Sequence, residues 1–230
     1  MPHMVEPIRG PQPVEAVREQ LWEAHQFLVS AAKRTIGRFN AVEPAEWGAA
    51  LKRTKVELPD DPPHLVRHAS KVHAFAEVVN QCATLERLMD ALKWSGEMLP
   101  DFDVQTCHPT TSSLKQDTEP DNDLILVRRG GSGRCFFEVS DVASSTGDGN
   151  QKEIKDLFSL GIIASPKRPV VCPPAWPEGR FFLVVSEEFA EYLLPPMRHC
   201  LKTGVFHYAE VGREGTTRVI EVIAGPRRPA

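Results

Sequence analysis

From Val14 to Phe39 the apolar residues Val17, Leu21, Ala24, Leu28, Ala31 and Phe39 recur at steps of three, four or eight. That spacing is the stripe of an amphipathic helix. A knot of Pro59, Asp60, Asp61, Pro62 and Pro63 breaks the chain, and a longer periodic stretch runs from His64 to Leu99. Leu65, Ala69, Val72, Phe75, Val79, Cys82, Leu85, Met89 and Leu92 line its face. This second helix is expected to end near Gly96, because Pro100 cannot continue it.

After Pro100 the period switches to that of strands. Phe102 to Thr106, Leu124 to Arg128 and Arg134 to Val142 are short and rich in β-branched and aromatic residues. The loop Gly130-Gly131-Ser132-Gly133 joins the last two as a hairpin. Ser144 to Asn150 is a polar loop, and Gln151 to Leu160 is a short helix with Ile154, Leu157 and Phe158 on one side. Arg180 to Ser186 is nearly all apolar, the pattern of a buried strand, and Glu187 to Leu194 is a helix stopped by Pro195-Pro196. Val205 to Val211 and Thr217 to Ile223 form a closing hairpin across Gly212 to Gly215. The expected fold class is α/β, with an N-terminal helical region over residues 1–63 and an α/β core over residues 64–230.

The chain of 230 residues is 41% hydrophobic and 25% charged, with net charge −4. It has apolar content for a real core and lacks the composition of a disordered chain. No run approaches the length of a membrane span, and Met1 to Pro13 lacks the build of a signal peptide. Five cysteines without a CxxC pair read as buried small hydrophobes in a reducing compartment, so a cytoplasmic protein with no membrane partner is expected. The acidity argues against a protein that holds nucleic acid mainly through a basic surface. The charge is uneven, however: residues 101–156 carry net −5, against −1 before and +2 after.

That acidic segment holds the densest chemistry. Asp121 and Asp123 open one strand, and Glu138 lies inside the next, followed by Asp141. A carboxylate flanked by Phe136, Phe137 and Val139 is costly to bury unless it is paired or binds a metal. Adjacent antiparallel strands bring Asp123 and Glu138 close enough for a hard divalent cation such as Mg²⁺ or Mn²⁺. The same residues also read as turn carboxylates after Pro120 and a solvent-facing glutamate on a half-exposed strand. The glycine loop lacks the Lys-Ser/Thr of a phosphate-binding loop, and GxSxG, HExxH and GxGxxG are absent. His64 and His68 share a helical face without a nearby carboxylate, and Cys107 and His108 point to opposite faces of a strand. Arg128, Arg129 and Arg134 flank the hairpin, where they read either as phosphate contacts beside the acidic site or, more simply, as ordinary surface arginines. Lys167-Arg168 and Arg227-Arg228 add small basic spots.

The stretch from about Val72 to Ser186 resembles the PD-(D/E)XK phosphodiesterase superfamily, the restriction-endonuclease-like fold. That family has a helix, a three-stranded meander, a crossover helix and a fourth strand, with Asp on the second strand and Glu-x-Lys on the third. Asp123 matches the Asp, and Glu138-Val139-Ser140 matches Glu-x-Lys with serine in place of lysine. The helix from Gln151 to Lys155 resembles the glutamine-bearing helix of RecB-like members.

The resemblance implies a mixed sheet and a Mg²⁺- or Mn²⁺-dependent nuclease acting on DNA or RNA, with DNA favoured, in bacterial defence or DNA processing. Asp123 and Glu138 would hold the metal, and Glu77 would be the additional acidic residue on the long helix. Lys152 or Lys155 would replace the missing motif lysine, and Gln151 would position the substrate. The alternative is a catalytically degenerate module that binds nucleic acid or a protein, with the long helix as a partner or homodimer interface.

Overall fold

The computed structural model describes residues 4–37, 51, 53–66, 71–109, 122–140, 179–194, 200–201 and 204–224. Strand β1 (Ile8–Pro13) leads straight into helix α1 (Val14–Gly37). Of the expected stripe, Val17, Leu21, Ala24, Leu28 and Ala31 are all buried, as is Val14, and Phe39 lies outside the described residues. Two short strands, β2 (Lys55–Glu57) and β3 (Val72–Ala74), pair with each other as a separate two-stranded sheet. Helix α2 (Phe75–Met98) follows.

The second helix therefore starts eleven residues later than its periodicity suggests. Leu65 lies in a turn, and Val72 is on a strand and exposed. Pairing of Val56 with His73 claims the segment that the helical spacing merely allowed. His64 is in a turn as well, so it shares no helical face with His68, which lies outside the described residues. From Phe75 onward the buried face is Phe75, Val78, Cys82, Leu85, Leu88, Ala91, Leu92 and Trp94, while Val79 faces solvent.

The remaining strands are β4 (Phe102–Cys107), β5 (Leu124–Arg128), β6 (Arg134–Ser140), β7 (Gly179–Ser186), β8 (Cys200–Leu201), β9 (Gly204–Glu214) and β10 (Thr217–Ala224). Helix α3 (Glu187–Leu193) leaves β7 directly, with the Ser186 hydroxyl accepting from the Phe189 N–H as its N-cap. One eight-stranded mixed sheet runs in the order β1-β4-β5-β6-β7-β10-β9-β8. Among the described residues only the β6–β7 pair is parallel. A parallel pair needs a crossover between its strands. Here that connection, with the expected loop from Ser144 and helix from Gln151, lies outside the described residues.

Side-chain alternation divides the core in two. Leu124, Leu126, Cys135, Phe137, Val139, Phe182, Val184 and Val219 face α1 and α2. Phe136, Phe181, Leu183, Val185, Ile220 and Val222 face the other way, toward Phe189, Ala190 and Leu193 of α3. The first layer is sealed by Trp94, edge-on to Phe137 and Phe182 with centroids 6.3 and 5.4 Å away. Its indole N–H donates to the Val211 carbonyl at 3.1 Å. No helix among the described residues is long and apolar enough to cross a membrane.

Candidate active site on the α3 face of the sheet

The register of the β5–β6 pair decides where the acidic residues meet. Leu124 lies opposite Phe137 and Ile125 opposite Phe136. One step beyond the strand end, Asp123 therefore falls opposite Glu138. Directly opposed residues share a face, with Cβ atoms about 5 Å apart. The ladder is closed there by a side chain, since the Val139 N–H donates to Asp123 Oδ2 at 2.8 Å. Asp123 is 5% exposed and Glu138 4%, so neither is a surface carboxylate. They share the face of Phe136, not that of the long helices.

Ser140 lies two residues beyond Glu138 on the same face and is wholly buried. Its Oγ meets no hydrogen-bond partner among the described residues. Both Glu138 and Ser140 sit at the carboxyl end of the parallel pair β6–β7, where open α/β sheets place their ligands. Asp121, Asp141, Gln151, Lys152 and Lys155 lie outside the described residues.

Glu77 is not brought to this pair. It is in the first turn of α2, which covers the opposite face of the sheet, and its carboxylate is 3.8 Å from His73 Nδ1. Among the described residues no three His, Cys, Asp or Glu side chains converge to hold an ion. Arg128 and Arg129 also stand apart from the acidic pair. Arg128 ends the strand that Asp123 opens, about 17 Å away at strand rise. Arg128 lies over the Phe102 ring, and Arg129 bonds the Pro100 carbonyl and pairs with Asp103 at 3.2 Å. An antiparallel hairpin necessarily separates residues at its turn from residues at its open end.

Two neighbours were not evident from sequence. His108, one residue past β4, donates its backbone N–H to the Asp123 carbonyl at 2.7 Å. Arg218 on β10 is 2% exposed and shares a cross-strand row with Val185 and Ser140. Its guanidinium donates to the carbonyls of Gly215 and Thr217 at 2.8 and 3.1 Å and pairs with Glu187, with Glu210 3.7 Å away. This cation is consumed in joining β10 to α3. A signal for it would have required the β7–β10 pairing in advance.

Three of the five thiols are described with their surroundings, and burial disfavours their thiolates. Cys82, Cys107 and Cys135 are free and buried. Burial pushes Cys82 up to about 11 and Cys135 up to about 12, and it raises Cys107 further with help from the Asp123 charge. Comparison with protein-family models, curated proteins and solved structures finds no match for this chain.

Proposed function

We propose that the protein is a divalent-metal-dependent nuclease with a restriction-endonuclease-like core, hydrolysing phosphodiester bonds in DNA or RNA. The observation that carries this reading is the opposition of Asp123 and Glu138, both buried on one face and held in register by the Val139 N–H. The succession of α2, the antiparallel meander β4–β5–β6 and a strand β7 parallel to β6 supports it. It is the order that the resemblance implies.

The residues present fit a hard cation. Two buried carboxylates and the orphaned Ser140 Oγ offer oxygen donors on one face, the ligand type that Mg²⁺ and Mn²⁺ prefer. Asp123 and Glu138 would hold the ion. Such an ion supplies a lowered pKa for water and neutralisation of charge on a scissile phosphate. The chain contributes the fixed orientation of Asp123 through Val139, and apolar walls at Phe136 and Leu183 on either side of Glu138. Gln151 as positioning residue and Lys152 or Lys155 as positive group remain part of the proposal.

One observation favours a second reading, a degenerate module that binds without cutting. The position matching the motif lysine is Ser140, which cannot carry charge. Cleavage of supercoiled DNA, linear DNA and RNA with Mg²⁺ or Mn²⁺ separates the two. The nuclease predicts cutting by wild type and none by Asp123→Ala or Glu138→Ala. Equal cutting by all three would reveal a contaminant, and retained binding without cutting would select the module.

A further inference from the structure

Val139 stands between Glu138 and Ser140 on β6, and its N–H holds Asp123 Oδ2 at 2.8 Å. Alternation along the strand sends the Glu138 and Ser140 side chains to one face, that of Phe136. Two carboxylates and one hydroxyl are therefore gathered around a single residue of β6.

The hydroxyl is the member that the fold leaves unexplained. Ser140 is 0% exposed, and its Oγ meets no hydrogen-bond partner among the described residues. Burying an unpaired hydroxyl costs free energy, and native structures pair the large majority of them. Across the β6–β7 ladder its neighbour is Val185, whose side chain offers only hydrocarbon. The next residue in that row, Arg218 on β10, is taken up by Glu187 and by the carbonyls of Gly215 and Thr217. An ion lodged beside Glu138 and Ser140 would use a lone pair of Oγ. The charge also closes. Two carboxylates balance one divalent cation, so a neutral third donor adds no charge for burial to penalise, whereas a lysine at this position would.

We propose that Ser140 Oγ is a direct ligand of the divalent ion, the third protein oxygen beside Asp123 and Glu138. The inference rests on the metal site of the nuclease reading. It changes the part given to the serine, from a lost lysine to a coordinating hydroxyl.

The test is Mn²⁺ binding to the full chain, followed by calorimetry and electron paramagnetic resonance without nucleic acid. Wild type, Ser140→Ala, Ser140→Thr, Ser140→Cys and Glu138→Ala are compared. Loss of one ligand should weaken Mn²⁺ on the order of tenfold or more in Ser140→Ala. Ser140→Thr keeps the hydroxyl and should stay within about threefold of wild type. Thiolate is a soft ligand, so Ser140→Cys should prefer Cd²⁺ to Mn²⁺ and show the ultraviolet sulfur-to-cadmium charge-transfer band. Ser140→Ala deletes only an unpaired hydroxyl, so without metal it should melt close to wild type. A marked loss there would mean that the hydroxyl is already bonded in the fold, and the proposal would be overturned. Wild-type Mn²⁺ affinity in Ser140→Ala, or no cadmium band in Ser140→Cys, overturns it equally. When Glu138→Ala loses the ion and Ser140→Ala keeps it, the proposal falls alone and the carboxylate site stands. When wild type itself binds no Mn²⁺, the metal-dependent reading falls and this proposal with it.

Discussion

Replacement of Gly212 by alanine should destabilise the fold through one side chain on α2. A Cβ built at Gly212 would lie 2.3 Å from both Cδ1 and Nε1 of Trp94 and 3.0 Å from Cε2. Ordinary carbon contacts begin near 3.5 Å, so the two groups must part by roughly 1 Å. The indole has little room to yield. It is 7% exposed, edge-packed on Phe137 and Phe182, and bonded to the carbonyl of Val211, the residue before the glycine. The strand is also pushed toward it, because the β9–β10 register shifts between Val219 and Ile220 and leaves Val211 as the extra residue. Overpacking costs about 1–3 kcal/mol, and a lost hydrogen bond about 1 more. A total of roughly 2–4 kcal/mol should appear in urea denaturation and lower Tm by about 5–15 °C in a chain of this size. The same substitution made in a Trp94→Ala background should cost much less, since the clash is then gone. A Gly212→Ala protein within about 0.5 kcal/mol of wild type, or equal costs in the two backgrounds, would refute the account.

Asp90 gives a pH-dependent prediction. Burial holds its carboxyl above the ordinary 3.8, opposed by the Thr217 hydroxyl bond and reinforced by Glu214 and Glu86. The folded state thus binds this proton more tightly than the unfolded chain, and stability declines as pH rises from about 4 through the raised value. Asp90→Asn, which can still accept from Thr217, should therefore melt above wild type at pH 7, with the gap closing in acid; a gap independent of pH contradicts this. Metal removal is the second test: with the hairpin arginines turned away, EDTA at fixed ionic strength should weaken DNA duplex binding at least about tenfold, and an affinity indifferent to EDTA would contradict the ion site.

The elements legible in sequence are those whose signal is local. The stripe of α1, the alternating β5 and β6, the glycine loop between them and the all-apolar β7 each carry their evidence within a few residues. The illegible ones depend on distant partners. β1 reads Ile-Arg-Gly-Pro-Gln-Pro, which argues against a strand, yet it pairs with β4 at the edge of the sheet. Prolines are tolerated on an edge strand, and the register breaks between Arg9 and Gln12, around Gly10 with its φ of 86°. β2 and β3 are three residues each and exist because they meet. No periodicity can announce a pairing across fourteen intervening residues.

The site was half legible for the same reason. Asp123 and Glu138 lie on strands joined by a short loop, so their opposition follows from hairpin register alone. The backbone bond from the His108 N–H to the Asp123 carbonyl carries no such signal, because the chain between the two is too long for their register to be read from spacing. Proximity along the chain is not proximity in space: Arg128 ends β5 and Asp123 immediately precedes it, so strand rise sets them at opposite ends. Among the described residues of the acidic segment, Arg128 and Arg129 stand at the turn with Phe102 and Asp103, while the buried Asp123 and Glu138 stand at the open end.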